Sequence, residues 1–243
     1  MPVFPLAPLF RGAPRRGGLL TEKEHMTMDR TPRASTLPAP LPGRRTRERS
    51  TKDLISFAEE HAATLRQRAG IGSRDRFDPR SLTRELGLVI TYPADIPGLT
   101  PDDYALVTGV DVRTWSGMGG TLPDGRLLVV LHPSQTAERA NVTIMEEVAH
   151  AHLGHRPSLL VTQPSGLEKR QYNQTDEDEA YWTAAAALLP RLIVAEAVWR
   201  GRSVEDLAAA YGASVECGQF RIKTLNLWAD HRNRGARQQV VSL

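Results

Sequence analysis

Arg139-Ala140-Asn141-Val142-Thr143-Ile144-Met145-Glu146-Glu147-Val148-Ala149-His150-Ala151-His152-Leu153-Gly154-His155 is the stretch on which the reading of this chain turns. It falls in a predicted helix over about residues 136–153 and holds three of the seven histidines. Glu146 and His150 stand at i and i+4, so on a helix they project from one face about one turn apart. Glu147 is adjacent and leans over the same spot. His152, two residues past His150, faces roughly the opposite side and reads as structural or surface. His155 follows Gly154, a C-cap residue by type, and reads either as a partner of the site or as a favourable charge at the helix end.

This spacing is that of an H-E-x-x-H zinc helix whose first histidine is replaced by glutamate. Two ligands one turn apart would hold an ion from a rigid element. The intervening Glu147 would take a proton from the attacking water and pass it to the leaving amine. A third ligand must come from elsewhere in the chain. The run Asp176-Glu177-Asp178-Glu179 opens the next long helix, and Ala180 and Ala184 to Ala187 would let that helix approach closely. A carboxylate of its first turn would then reach the ion. The alternative is that acidic residues simply favour a helix N-terminus through the dipole.

Working outward, 243 residues with 40% hydrophobic and 24% charged residues are of ordinary globular composition. The chain should hold a domain over residues 51–200, a helical segment over 201–243 and a tail over 1–50. The formal charge of +3 is uneven, because residues 1–50 carry ten Lys/Arg against four Asp/Glu. The basic character therefore belongs to the tail and is no nucleic-acid footprint of the folded part. Eight of the seventeen prolines lie there too, so the tail is read as disordered. Cys217 is the single cysteine, which excludes an intrachain disulfide or a cysteine zinc cage and points to a reducing compartment, the cytoplasm. The longest apolar stretch, Ala184 to Trp199, is broken by Pro190, Arg191 and Glu196, so no transmembrane helix is expected.

Helical spacing runs over residues 51–69 with Ser50 or Thr51 as cap, and again over about 79–85. Residues 88–92, 105–110, 115–121 and 126–131 read as short strands, the last two joined at Pro123-Asp124-Gly125. After them only helices are expected, over about 136–153, 176–188, 190–200, 203–210 and 214–226. Helices, a small mostly antiparallel sheet, then helices give an α+β class.

Arg139 to His150 resembles the R-x-x-F-T-x-A-H-E-x-x-H signature of the ImmA/IrrE metallopeptidases, and Leu153-Gly154-His155 its continuation. Glu177 to Pro190 resembles the family's E-x-x-A-N-x-F-A-A-x-L-L-x-P helix. Phe77 to Leu88 resembles its entry helix, and Leu207 to Ser214 its later L-A-x-x-F-G-V-S turn. The resemblance runs over about residues 51–228 in the family's order. It implies a zincin-like fold, with an active-site helix and a glutamate helix packed on a small sheet. It maps metal ligation to Glu146, His150 and Glu177, with Glu179 second to Glu177, and the general base to Glu147. It implies a metal-dependent intracellular endopeptidase that cleaves a helix-turn-helix repressor, as in the induction of mobile-element or DNA-damage genes.

Glu146 in place of a neutral imidazole makes the expected ligand set two carboxylates and one histidine. Carboxylate oxygen ligates Zn²⁺ at about 2.0–2.2 Å, so zinc fits, and Mn²⁺ becomes the second candidate ion. Two readings follow: an active endopeptidase with a carboxylate-rich site, or a catalytically silent relative that binds the repressor as a regulator. Ser203 to Leu225 also has the outline of a helix-turn-helix, but its second helix contains an interior Gly218 and two positive charges, Arg221 and Lys223. Nucleic acid is therefore not the favoured partner. Tyr172 and Tyr181 are candidates by position for stabilising an oxyanion. His25, His61, His132 and His231 show no ligand spacing, and Cys217 reads as a packed thiol.

Overall fold

The computed structural model describes residues 50–82, 87–109, 115–122, 124–155, 159–162, 168–171 and 173–233. The predicted tail, apart from Ser50, lies outside them, as do His25 and Tyr172.

Helix α1 spans Thr51–Arg68 and starts where the Ser50 hydroxyl accepts from the Asp53 amide at 3.3 Å. Its inner face carries Phe57, Ala58, Ala62 and Leu65. The buried Arg66 guanidinium donates to the carbonyls of Ala187 (2.6 Å), Gly72 and Asp75, which ties α1 to the chain beyond it and to a distant helix end. The expected helix near 79–85 is a short 3₁₀ turn at Pro79–Ser81, with residues 83–86 outside the described set. Strand β1 is Leu88–Thr91.

The predicted strand over 105–110 is a correction. Helix α2, Pro101–Thr108, occupies residues 105–108 of it and Gly109 caps the helix, while residue 110 lies outside the described set. The Thr100 hydroxyl accepts from the Asp103 amide at 3.1 Å, Pro101 sits in the first turn, and Asp102 and Asp103 complement the dipole. These start signals outweigh the apolar run Ala105-Leu106-Val107, which taken alone is ambiguous between helix and strand.

Strands β2 (Gly117–Thr121) and β3 (Leu127–Leu131) form the expected hairpin, Gly117 opposite Leu131 and Thr121 opposite Leu127. Gly125 in its turn has φ +86°, a conformation that glycine adopts without a Cβ penalty. The strand order is β1-β3-β2, with β1 parallel and β2 antiparallel to the central β3. A second hairpin, β4 (Leu159–Thr162) with β5 (Glu168–Gln171), corrects the expectation that only helices follow the sheet.

Helix α3, Ala137–Leu153, is capped by Thr136 and ends at Gly154, φ 70°. It lies against β2 and β3. Helix α4, Gln174–Leu188, begins two residues earlier than predicted because the Asn173 side chain caps the Thr175 amide at 3.0 Å. Ala180 and Ala184 to Ala187 are fully buried where α4 packs against both α1 and α3, as the small-residue run implied. Around them Val129, Leu131, Ile144, Met145, Val148 and Leu188 complete the core. Each large side chain among these contributes roughly 1.5–3 kcal/mol by leaving water.

Helices α5 (Arg191–Trp199), α6 (Val204–Tyr211) and α7 (Val215–Thr224) follow, and Val204, Leu207, Cys217 and Ile222 join the same core. Gly218 has a packing reason: a Cβ there would fall 2.9 Å from Val204 Cγ1, so it lets α6 and α7 cross closely. Arg221, of the two positive charges noted in α7, is fully buried. It donates to the Leu189 carbonyl at 2.9 Å and pairs with Glu59 of α1. The architecture is α+β, with α3 across a small sheet, α4 packed on α3 and α1, and a helical C-terminal part.

Candidate metal centre

Thr136 and Gly154 fix where α3 starts and stops, and so fix which residues face the sheet. Ile144, Met145, Val148 and Ala149 turn into the core, while Glu146, Glu147 and His150 remain partly exposed along one edge. The first turn of α4 brings Glu177 to that edge. One donor atom each from Glu146, His150 and Glu177 lies within 4.8 Å of the other two. His150 Nε2 is 3.8 Å from Glu177 Oε2. The three residues that the sequence reading mapped as ligands are thus together in space.

The electrostatics favour a cation. Burial, then the charges of Glu147 and Glu177, push the Glu146 carboxyl up to about 8, and Arg139 only partly opposes them. A divalent ion would relieve that repulsion while using the oxygen and nitrogen donors present. By this test the residues fit a divalent metal ion.

Glu147 is held differently. Its carboxylate lies over Gly119 of β2, where an added Cβ would be 2.3 Å from Glu147 Oε2. At Gly117 a Cβ would meet Thr143 Cγ2 at 2.5 Å and the Val130 carbonyl oxygen at 3.0 Å. These two glycines let α3 settle on the edge of the sheet. Sequence reasoning missed them, although glycines in a strand signal a close approach of another group. The expected outcome of Gly119→Ala is a large loss of turnover with little change in melting temperature or metal content. The clash falls on the mobile end of one side chain, so Glu147 moves and the fold does not. Activity assay, thermal melting and metal analysis on the same preparation check this.

Behind the cluster, His150 Nδ1 lies 3.0 Å from His155 Nδ1. Gly154 in the left-handed region turns the chain back, and the His155 amide donates to the His150 carbonyl at 3.0 Å. His155 Nε2 lies 3.4 Å from Glu179 Oε2 and 3.9 Å from Asp176 Oδ1. Glu179 is therefore beside His155, and Glu177 beside His150.

The remaining candidates sit elsewhere. His152 is on the opposite side of α3, with Nε2 3.1 Å from Nδ1 of His61 on α1. Burial, helped by His61 and Arg68, pushes its imidazole down to about 4. His132 is buried against Trp115 and its Nδ1 accepts from the Ser134 amide at 3.2 Å. His231 contacts the Arg202 carbonyl at 3.0 Å. Tyr181 packs edge-on to Phe220, ring centroids 4.8 Å apart, and burial raises its phenol. The Cys217 thiol is fully buried and pushed up to about 12 by that burial, so nothing activates it as a nucleophile.

A helix bearing carboxylate, carboxylate and histidine, packed on a small sheet beside a second helix with a further carboxylate, defines a zincin-like domain. Residues 105–223 match the Peptidase_M78 family, described as the IrrE N-terminal-like domain, which supports the ImmA/IrrE resemblance over that stretch. The match begins within α2 and ends within α7, narrower than the 51–228 over which the sequence resemblance runs. No curated protein matches the chain. Among the described residues, no single helix is long and apolar enough to cross a membrane.

Proposed function

We propose that this protein is a metal-dependent endopeptidase whose metal is held by Glu146, His150 and Glu177, with Glu147 as general base. The observation that carries the reading is the approach of those three donor atoms to within 4.8 Å. It is joined by the seat of Glu147 over the neighbouring strand. A bound divalent ion supplies Lewis acidity, polarising the scissile carbonyl and making water acidic enough to be deprotonated near neutral pH. Glu147 accepts the proton of the attacking water and transfers it to the leaving amide nitrogen as the C–N bond breaks. Among the described strands β2 pairs with β3 alone, which makes it an edge strand of that sheet, with Gly119 against Glu147. An extended peptide adds to such an edge through main-chain hydrogen bonds.

Zinc is the ion proposed, and Mn²⁺ comes second because two carboxylates suit a harder cation. The proposed substrate is a helix-turn-helix repressor and the proposed location the cytoplasm, both by the family resemblance. Glu146 itself favours a second reading. Two anionic ligands neutralise the ion and weaken its pull on water, which suits a relative that binds the repressor without cutting it.

Metal content by mass spectrometry, on protein purified without added metal or a histidine tag, tests the centre. Near-stoichiometric metal is expected in the wild type. Glu146→Ala and Glu177→Ala are each expected to weaken binding at least tenfold, on the order of what loss of a supporting ligand costs. A wild type that takes up neither Zn²⁺ nor Mn²⁺ would leave a zincin-shaped binding protein. Wild type that holds metal is next offered a repressor, where cleavage supports the endopeptidase and binding without cleavage the regulator.

A further inference from the structure

The contact behind the metal centre carries one step more. We propose that His155 is a positioning residue, which accepts a hydrogen bond from Nδ1–H of His150 and donates its own Nε2–H to Glu179, so that His150 presents a bare Nε2 to the cation. This rests on the metal-centre reading above.

The argument is one of proton placement. The 3.0 Å separation of the two Nδ1 atoms requires a single proton between them. On its other side, His155 Nε2 faces two carboxylates, Glu179 Oε2 at 3.4 Å and Asp176 Oδ1 at 3.9 Å. Glu179 is 5% exposed and Asp176 Oδ1 is buried without a hydrogen-bond partner in the structure. A lone pair on Nε2 would repel both oxygens, so that nitrogen carries the proton. The proton between the two Nδ1 atoms is then carried by one ring or the other, and the donor cluster on the far side of His150 decides which.

His150 Nε2 lies 3.8 Å from Glu177 Oε2, among the donors of the metal centre, so around a cation it is bare and the shared proton sits on His150 Nδ1. Lone pair facing carboxylate is unfavourable by itself and favourable around a cation. The chain Glu179–His155–His150 therefore ends in the donor that a metal ion needs. His150 is the one imidazole among the three donors, so its tautomer and ring orientation depend on what its Nδ1 meets. Second-layer partners of this kind fix the tautomer and raise ligand basicity, and their loss costs about 10–100-fold in affinity.

The test uses the full-length chain and Co²⁺, whose visible absorption reports coordination geometry. Wild type, His155→Ala and His155→Gln are titrated in parallel. His155→Ala is expected to weaken Co²⁺ binding at least tenfold and to shift the absorption bands. His155→Gln is expected to recover most of both, since its amide oxygen accepts from His150 and its amide nitrogen donates to Glu179. Long-range ¹H–¹⁵N correlation on metal-loaded wild type gives a readout that does not depend on a variant folding. A proton on His155 Nε2 and on His150 Nδ1 is expected. His155 protonated at Nδ1, or His155→Ala that binds Co²⁺ as wild type does, overturns the inference while leaving the metal centre intact. Wild type that binds no Co²⁺ overturns both.

Discussion

Glu147→Gln is expected to retain its metal and lose peptide hydrolysis, by about 10²–10⁴-fold in kcat, the range that a positioned proton-transfer group contributes. Glutamine has the same shape, so it keeps its seat over Gly119, where the carboxylate end has no room for a Cβ beneath it. It cannot accept the proton of the attacking water. Nor is Glu147 among the three converging donors, so their arrangement survives. The charge of Glu147 is one of the influences that raise the Glu146 carboxyl, second only to burial. Removing it makes Glu146 easier to ionise, and the variant should bind metal at least as tightly as wild type near neutral pH. Tighter metal with lost turnover is a combination that general misfolding does not produce. Single-turnover cleavage and a metal titration on one preparation measure both, and undiminished turnover would remove Glu147 from the mechanism.

The second large effect is on pH dependence without metal. Glu146 titrates near its ordinary 4.5 when unfolded and is raised to about 8 in the fold. Between those values the folded state holds a proton that the unfolded state has lost, so stability falls as pH rises. The contribution is fully present below about 4.5 and is lost as pH climbs through about 8. At about 1.4 kcal/mol for each unit, the metal-free protein should lose on the order of 4 kcal/mol over that span. For a chain of this size that is a fall of roughly 10 °C in melting temperature. Metal reverses the sense. In the proposed centre the cation binds ionised Glu146, so loading releases the proton, and from this group alone Zn²⁺ affinity should rise about tenfold per pH unit up to about 8. Calorimetric melts from pH 5 to 8 with chelator, and Zn²⁺ titrations over the same range, measure the two halves. A metal-free melting temperature that is level or rising across the range would show that Glu146 is already ionised in the fold.

Much of this site was legible in the chain because it is local. Glu146, Glu147 and His150 lie within five residues, and helical geometry alone puts the first and last on one face. The caps that bound α3, Thr136 and Gly154, are likewise short-range. The same local grammar read correctly at residues 100–103 would have given α2, where the apolar run at 105–107 instead suggested a strand. The hairpin of β4 and β5 was missed because it pairs two four-residue strands, too short for a clear period.

What the sequence by itself determined is the helix, its two carboxylates and histidine, and the acidic turn that opens α4. The family resemblance ranked Glu177 ahead of Glu179, but only the tertiary structure shows where each acid stands. Glu177 and Glu179 are two residues apart on one helix, so they point in different directions, and the packing of α4 against α3 sends the first to His150 and the second to His155. Packing likewise gave Gly119 its place beneath Glu147 and turned Arg221 inward onto Leu189 and Glu59. These are contacts between residues far apart in the chain, and no local period encodes them. They exist because the alanine face of α4 lets three helices close on one another, and the polar groups buried there find their partners within the protein.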